Sequence, residues 1–127
     1  MKRSHDGGIG VGAQAWGLAK KLREVDDLMS PEKQVLIYEV HPELSFREMA
    51  GHHLQHSKKS SAGKSERINL LLDAGFPDLF LDRGRTDDFF DACAALWTAE
   101  RIYRGEAKRI PPIIERDPRG LDMAIWY

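Results

Sequence analysis

The sequence lacks three features that define common classes of protein. Cys93 is the single cysteine, which excludes an intramolecular disulfide framework and fits a reducing compartment. The 19 Lys and Arg residues nearly balance the 20 Asp and Glu residues, so the net charge of -1 gives no overall attraction to nucleic acid. The chain also has no apolar run long enough to span a bilayer, and its first residues contain no signal-peptide core. We therefore expect a cytoplasmic protein with no membrane partner.

What is present is enough for one domain, since 42% of the 127 residues are hydrophobic. The patterns predict an amphipathic helix over 14–29, a strand over 34–40, a helix from Pro42 to Gly51, a basic loop over 52–64, a helix between Ser65 and Gly75, and a long helix between Thr86 and Gly105. The stretch 76–85 is predicted as a connection, and the Pro-rich tail ends in a short apolar segment that suits an edge strand. This order predicts a helix-rich α/β or α+β domain over 1–127, with residues 1–12 as a Gly-rich connector.

The predicted strand carries the first candidate for chemistry. The run "QVLIYEV" is nearly continuously apolar and rich in β-branched residues, which is typical of a strand buried on both faces. Glu39 is its only charge and stands one residue from its carboxyl end, where open α/β sheets place their sites. A glutamate that simply reaches solvent explains the position equally well.

Three aspartates at the start of the long helix form the second candidate. Asp87 and Asp88 have an ordinary explanation, because carboxylates in a first helical turn are favoured by the free amides and the helix dipole. Asp91 lies beyond that turn in the mostly apolar stretch "FFDACAALW", where an ionised carboxylate needs a partner. Asp88 and Asp91 share a helix face, and close carboxylates repel unless a cation neutralises them. Oxygen ligands of this kind suit Mg²⁺ or Mn²⁺.

The loop between the second and third predicted helices is the third candidate. Its histidines, His52, His53 and His56, have no partnering cysteine and no established zinc spacing, so a solvated loop is favoured over a metal site. The basic residues of this region form a cluster that suits a phosphate backbone, although a merely soluble loop explains them equally well: Lys58, Lys59, Lys64 and Arg67. Cys93, in the apolar run, is predicted to be a core thiol.

Four segments together resemble a family identified as predicted RNase H-like nucleases: "YEVHPELSF", "SKKSSAGKSER", "DDFFDACAALWTAERI" and "ERDPRGLDMAIWY". The resemblance runs from about Gly10 to Tyr127. The acidic helix is also similar to the last catalytic helix of RuvC-type Holliday junction resolvases. The resemblance implies a mixed sheet flanked by helices, with Glu39 as the strand carboxylate and Asp88 and Asp91 as the helix pair. It further implies two divalent metals, Mg²⁺ or Mn²⁺, and a metal-activated water that attacks a phosphodiester.

The chain departs from that family at its beginning. The family starts with a three-stranded meander whose first strand carries an aspartate of the metal site, and nothing before Val11 resembles it. The expected fold is therefore a partial, helix-rich RNase H-like fold with one central buried strand over 34–40. Two functions stay open first, an incomplete metal-dependent nuclease acting on nucleic acid, and a non-catalytic remnant that serves as an interaction or oligomerisation domain. A complementing chain or self-association through an unpaired strand edge is expected in either case. A third function that stays open is a nucleic-acid-binding module that uses the basic cluster from Lys58 to Arg67.

Overall fold

The computed structural model describes residues 13–83 and 86–127. Their elements are α1 (Ala13–Leu28), a 3₁₀ turn (Lys33–Val35), α2 (Pro42–Ala50), α3 (Ser61–Asp73), α4 (Asp78–Arg83), α5 (Asp87–Arg104), β1 (Arg109–Arg116) and β2 (Asp122–Trp126). β1 and β2 form an antiparallel two-stranded sheet. The helix-rich α/β class is thereby confirmed, whereas an RNase H-like arrangement of these elements stays a prediction.

Local signals in the sequence fix the ends of the helices. Thr86 caps α5, because its hydroxyl oxygen accepts a hydrogen bond of 3.2 Å from the Phe89 amide. Gly105 ends the same helix in the left-handed conformation, with φ of 72°, and Gly51 ends α2 in the same way. The predicted bounds of α1, α2 and α5 are therefore confirmed to within a residue or two.

The core lies where α2, α3, α4 and α5 meet. Its buried side chains are Phe46, Leu71, Leu81, Phe90, Cys93 and Ala94. The small residues Cys93 and Ala94 lie in the middle of α5 and allow α2 and α3 to pack closely against it. Burial raises the pKa of the Cys93 thiol, which agrees with its predicted place in the core.

The predicted buried strand over 34–40 is wrong. Lys33–Val35 is a 3₁₀ turn, and Val35, Leu36 and Ile37 are exposed by 67%, 83% and 51%. An apolar run becomes a buried strand only where neighbouring strands pair with it. Within the described chain the backbone of this run pairs with β2 at an isolated parallel bridge from Val40 to Trp126 and forms no ladder with it. Gln34 contacts β2 through its side chain instead, since its amide group exchanges hydrogen bonds of 3.1 and 2.7 Å with the Asp122 backbone.

The C-terminal tail forms a hairpin rather than a single edge strand. The predicted edge strand is confirmed as β2, but β1 was missed because its sequence "RIPPIIER" reads as a Pro-rich connection. The ladder is irregular between Ile110 and Glu115, where Pro111 and Pro112 have no amide hydrogen to donate. At the turn, Asp117 accepts backbone hydrogen bonds from Leu121 and Arg119, of 2.8 and 2.9 Å, and these hold its pKa below the ordinary range.

Two further boundaries differ from the sequence prediction. α3 begins at Ser61 rather than after Ser65, because Ser60 is the residue with extended backbone whose hydroxyl accepts a 3.0 Å hydrogen bond from the Gly63 amide. The basic loop over 52–64 therefore ends at Ser60, and Lys64 belongs to α3. The stretch predicted as a connection contains the short helix α4, which buries Leu81 in the core.

One sequence prediction, the Gly-rich connector over 1–12, concerns residues that lie outside the described part of the chain. Among the helices that are described, none combines the length and the apolar character needed to cross a membrane.

Candidate functional site

The start of α5 is where the structure brings oppositely charged candidates together. The Lys58 ammonium donates to Oδ2 of Asp91 at 3.3 Å, and the Lys64 ammonium lies 3.5 Å from Oδ1 of Asp87. All four side chains are partly exposed, at between 27% and 44% of their full area. Asp91 is thus neither deeply buried nor alone, and its partner in this structure is Lys58.

A tight turn between Ser57 and Ser60 positions Lys58 next to Asp91. The Ser60 amide and hydroxyl both donate to the Ser57 carbonyl oxygen, at 2.9 and 2.8 Å. Gly63 then lies against the same carbonyl, and a Cβ added at Gly63 would be 2.0 Å from that oxygen. Only a glycine fits such a close backbone approach. The loop is therefore held in place by backbone geometry as well as by its ion pairs.

Glu66 fixes the preceding part of the loop. Its two carboxylate oxygens accept hydrogen bonds from the backbone amides of Gln55 and His56, at 3.1 and 3.2 Å. The Gln55 amide is the main reason that the pKa of Glu66 lies below its ordinary value, because hydrogen bonds to the ionised form stabilise it. The sequence prediction missed this role, since an exposed glutamate in a helix gives no sign that it accepts amides ten and eleven residues earlier.

Arg67 lies outside the exposed basic surface with which the sequence grouped it. It is 4% exposed, and its Nε and Nη2 atoms donate to the two carboxylate oxygens of Glu43 at 3.0 and 2.6 Å. Its Nη1 atom donates to the Gly63 carbonyl at 2.9 Å, and the guanidinium covers the Phe46 ring. This bidentate pair joins α2 to α3. No spacing rule links residues 43 and 67, so the pair could not be predicted from the sequence.

Helix α2, which follows Glu39, and helix α5, which carries Asp88 and Asp91, run in the same direction. The Ser45 and Thr98 hydroxyls lie 2.7 Å apart, and Glu48 accepts from Arg101 at 3.3 Å. In each pair the two residues are 53 positions apart in the sequence. Moving three residues forward along α2, from Ser45 to Glu48, therefore corresponds to moving three residues forward along α5, from Thr98 to Arg101. Only parallel helices have this register. The beginning of α2, which Glu39 precedes by three residues, therefore lies toward the Asp91 end of α5.

Glu39 itself is exposed, and its carbonyl oxygen accepts a 2.8 Å hydrogen bond from the Trp126 amide. Asp88 is also exposed. Among the residues whose side chains the structure describes, no three His, Cys, Asp or Glu side chains form a group that could hold a metal ion. This applies to Glu39, Asp88 and Asp91 as well as to the three histidines of the loop. The donor type at the start of α5 fits Mg²⁺ or Mn²⁺, but the described residues do not gather the three predicted ligands.

A comparison with protein families gives one match. The family described as "Protein of unknown function (DUF429)" matches residues 1–116. No curated protein and no solved structure matches the chain. Because the family match covers most of the sequence, including Glu39, Asp88 and Asp91, the chain belongs to the DUF429 family.

Proposed function

We propose that the acidic end of α5 is part of a metal-dependent site for phosphodiester hydrolysis, of the RNase H-like type that the sequence resembles. The observation that carries the proposal is the Lys58–Asp91 pair, which holds a carboxylate and an ammonium 3.3 Å apart on a partly exposed surface. A nuclease needs carboxylates for its cation and cationic side chains for the substrate phosphates. The start of α5 supplies the carboxylates, and Lys58 and Lys64, which contact Asp91 and Asp87, supply the cationic groups.

Three carboxylates are proposed as ligands of the cation. Asp88 and Asp91 are three residues apart on α5 and share one face. Glu39 lies toward the same end because α2 and α5 are parallel. A divalent cation held there would polarise a phosphodiester for attack by water. Since the described residues gather no group of three such ligands, the proposal includes a further carboxylate from a complementing chain or from another part of this one.

The lysines of the basic loop are proposed to hold the nucleic-acid backbone. Lys58 and Lys64 stand next to the aspartates, and Lys59 is exposed beside them. Arg67 is omitted from this set, because its guanidinium is buried against Glu43 and supports the fold. A lysine can leave a half-exposed carboxylate at little cost, since such ion pairs contribute only about 0–1 kcal/mol. The ammonium groups are therefore free to exchange partners when a phosphate arrives.

The test is cleavage of end-labelled single-stranded, duplex and branched nucleic acids with Mg²⁺ or Mn²⁺. We expect metal-dependent cleavage that Asp91→Asn abolishes. The matched control is Asp73→Asn, which removes an exposed carboxylate from the far end of α3 and should leave cleavage unchanged. Absence of cleavage on every substrate, or cleavage that survives in Asp91→Asn, would refute the proposal.

A second candidate, a non-catalytic assembly domain, is favoured by a separate observation. Val35, Leu36 and Ile37 are exposed side by side, which is costly for an isolated protein surface. This candidate predicts an oligomer, no response to divalent metal, and an Asp91→Asn variant of unchanged or increased stability. Sedimentation of the chain together with unfolding of that variant distinguishes it from the nuclease.

A further inference from the structure

The helix α1 presents an apolar seam that is exposed along most of its length. Leu18, Leu22 and Val25 are exposed by 54%, 66% and 56%, and the half-buried Met29 follows one residue beyond the end of the helix. These four residues are separated by four, three and four positions, which is the spacing of the seam in a two-stranded coiled coil. An apolar stripe of this spacing is normally buried against another helix.

The contacts that attach α1 to the rest of the chain leave the seam open. The Arg119 guanidinium donates to the Asp26 carbonyl at 3.0 Å and to its carboxylate at 2.5 Å. The Lys33 ammonium donates to the Leu28 carbonyl at 2.6 Å. Both contacts are at the C-terminal end of the helix. They anchor α1 by that end, where Met29 is half-buried, while the side chains of Leu18, Leu22 and Val25 stay exposed.

The seam is symmetric about the point between Arg23 and Glu24. Leu22 and Val25 are equally far from this point, and so are Leu18 and Met29. If a second α1 packs antiparallel across a two-fold axis at this point, Leu22 of each copy meets Val25 of the other, and Leu18 meets Met29. A closed two-fold interface of this kind uses the same patch on both copies.

Charges on the two sides of the seam match the same arrangement. At 3.6 residues per turn, Lys21 and Glu24 lie on one side of the seam, and Arg23 and Asp26 lie on the other. In the antiparallel pair each side of one helix faces the same side of its partner. Lys21 then lies within about one turn of the partner's Glu24, and Arg23 is similarly near the partner's Asp26. Each side therefore brings a cation near an anion, and each such approach occurs twice. Within its own chain Asp26 also binds Arg119, and the Glu24 carboxylate lies 3.9 Å from the Lys20 ammonium.

The antiparallel direction is favoured over the parallel one for two reasons. It opposes the two helix dipoles. In each copy, the rest of the chain contacts α1 at the C-terminal end of the helix. Antiparallel packing therefore places the rest of the two chains at opposite ends of the helix pair, whereas parallel packing would crowd them at one end.

We propose that the chain forms a two-fold dimer in which α1 packs antiparallel against α1 of a second copy. The inference deepens the assembly function proposed above, because it names the surface and the partner. It does not depend on the metal site, and it uses a surface other than residues 35–37.

The first experiment is sedimentation equilibrium of the full chain over a range of concentrations. We expect a mass approaching twice the 14.4 kDa of one chain. Leu22→Asp should give the mass of one chain, whereas the control Leu36→Asp, at an exposed leucine outside α1, should leave the dimer intact. A monomeric wild-type chain overturns both this proposal and the assembly function. A dimer that Leu36→Asp disrupts and Leu22→Asp does not overturns this proposal and leaves the assembly function standing.

Charge reversal tests the pairing without depending on an apolar substitution. Lys21→Glu should raise the dissociation constant about tenfold, because it replaces two attractive pairs with repulsive ones. Adding Glu24→Lys in the same chain should restore it. Circular dichroism should show that both variants keep the helical content of the wild type. Failure of the second substitution to restore affinity overturns the pairing.

Spin labels attached to the Gly17→Cys variant test whether the two α1 helices pack antiparallel or parallel, and position 17 has open space for a label. Antiparallel packing predicts labels about 20 Å apart along the helix axis, from a rise of about 1.5 Å per residue. A separation of only one helix diameter, about 10 Å, shows parallel packing and overturns the geometry proposed.

Discussion

The ammonium of Lys58 lies 3.3 Å from Oδ2 of Asp91 and joins the basic loop to the acidic end of α5. The two side chains keep 40% and 27% of their area exposed. Water therefore competes for both charges, and the pair contributes at most about 1 kcal/mol to folding. A pair of this kind positions the ammonium and the carboxylate, yet either group can exchange its partner at little cost in free energy.

Replacing Lys58 with methionine should separate its structural role from its electrostatic role. We expect a change of less than about 1 kcal/mol in the free energy of unfolding, because the pair is half-exposed. We also expect tighter binding of Mn²⁺, since the competing ammonium is gone from Asp91. Urea unfolding and calorimetry measure the two quantities. Lys59→Met is the matched control, because Lys59 is the exposed neighbour of Lys58 and takes part in none of the ion pairs found among the described residues. Equal behaviour of the two variants would contradict the role given to Lys58.

The hydroxyls of Ser45 and Thr98 should show strong coupling in a double-mutant cycle. They share a 2.7 Å hydrogen bond, and both side chains are fully buried between α2 and α5. Ser45→Ala or Thr98→Val alone leaves one buried hydroxyl without its partner and should cost about 1–3 kcal/mol. The double variant should cost less than the sum of the two, because no unpaired hydroxyl remains. Additive costs in denaturant unfolding would argue against this contact.

Gly63→Ala should destabilise the junction between the basic loop and α3. The added Cβ would lie 2.0 Å from the Ser57 carbonyl oxygen, which is backbone and cannot move aside like a flexible side chain. We expect a loss of about 1–3 kcal/mol. Gly17→Ala in α1 is the control, since nothing lies within 4 Å of its added Cβ. That variant should gain about 0.5–1 kcal/mol from better helix propensity. Thermal unfolding of both variants should show opposite signs, and equal shifts would contradict the close approach.

Acid should release the loop that Glu66 holds. The folded-state pKa of Glu66 lies below its ordinary value of 4.5, mainly because the Gln55 amide donates to the carboxylate. Its stabilising contribution is therefore complete above the ordinary pKa and is lost as the pH falls through the lower folded value. Amide chemical shifts of Gln55 and His56 should titrate in this acidic range. Glu66→Gln should abolish that titration, whereas Glu24→Gln on α1 should not. A titration that persists in Glu66→Gln would assign it to another group.

The parts of the fold that the sequence predicted correctly are those set by neighbouring residues. Thr86 and Gly105 bound α5 because a cap and a left-handed glycine act within one turn of the helix end. The amphipathic α1 was predicted for the same reason, since helical spacing is a local pattern. The exposure of its apolar side was not predicted, because a pattern does not say what covers that side.

The errors arose where structure depends on distant partners. The run from Gln34 to Val40 has the composition of a buried strand, but strands need neighbours, and here Gln34 meets β2 through its side chain. The place of Arg67 was missed for a similar reason, since its partner Glu43 is on another helix. Ser60 rather than Ser65 caps α3, and the close approach of Gly63 to the Ser57 carbonyl at this end of the helix could not be seen in the sequence.

At the candidate site, the sequence identified Asp91 as a carboxylate in need of a partner, and the structure supplies Lys58. The pairing joins residues 33 positions apart, which no local pattern encodes. Whether Asp88 and Glu39 join Asp91 around a cation stays a prediction, and it is the central claim of the proposed function.

The most direct test of that claim is a Mn²⁺ titration followed by ¹H–¹⁵N spectra of the labelled chain, with Mg²⁺ as competitor. Paramagnetic broadening should first affect the amides of Glu39, Asp88 and Asp91, Mg²⁺ should reverse it, and Asp91→Asn should remove it. Broadening that is absent, spread evenly over the surface, or unchanged in Asp91→Asn would contradict a metal site at the acidic end of α5.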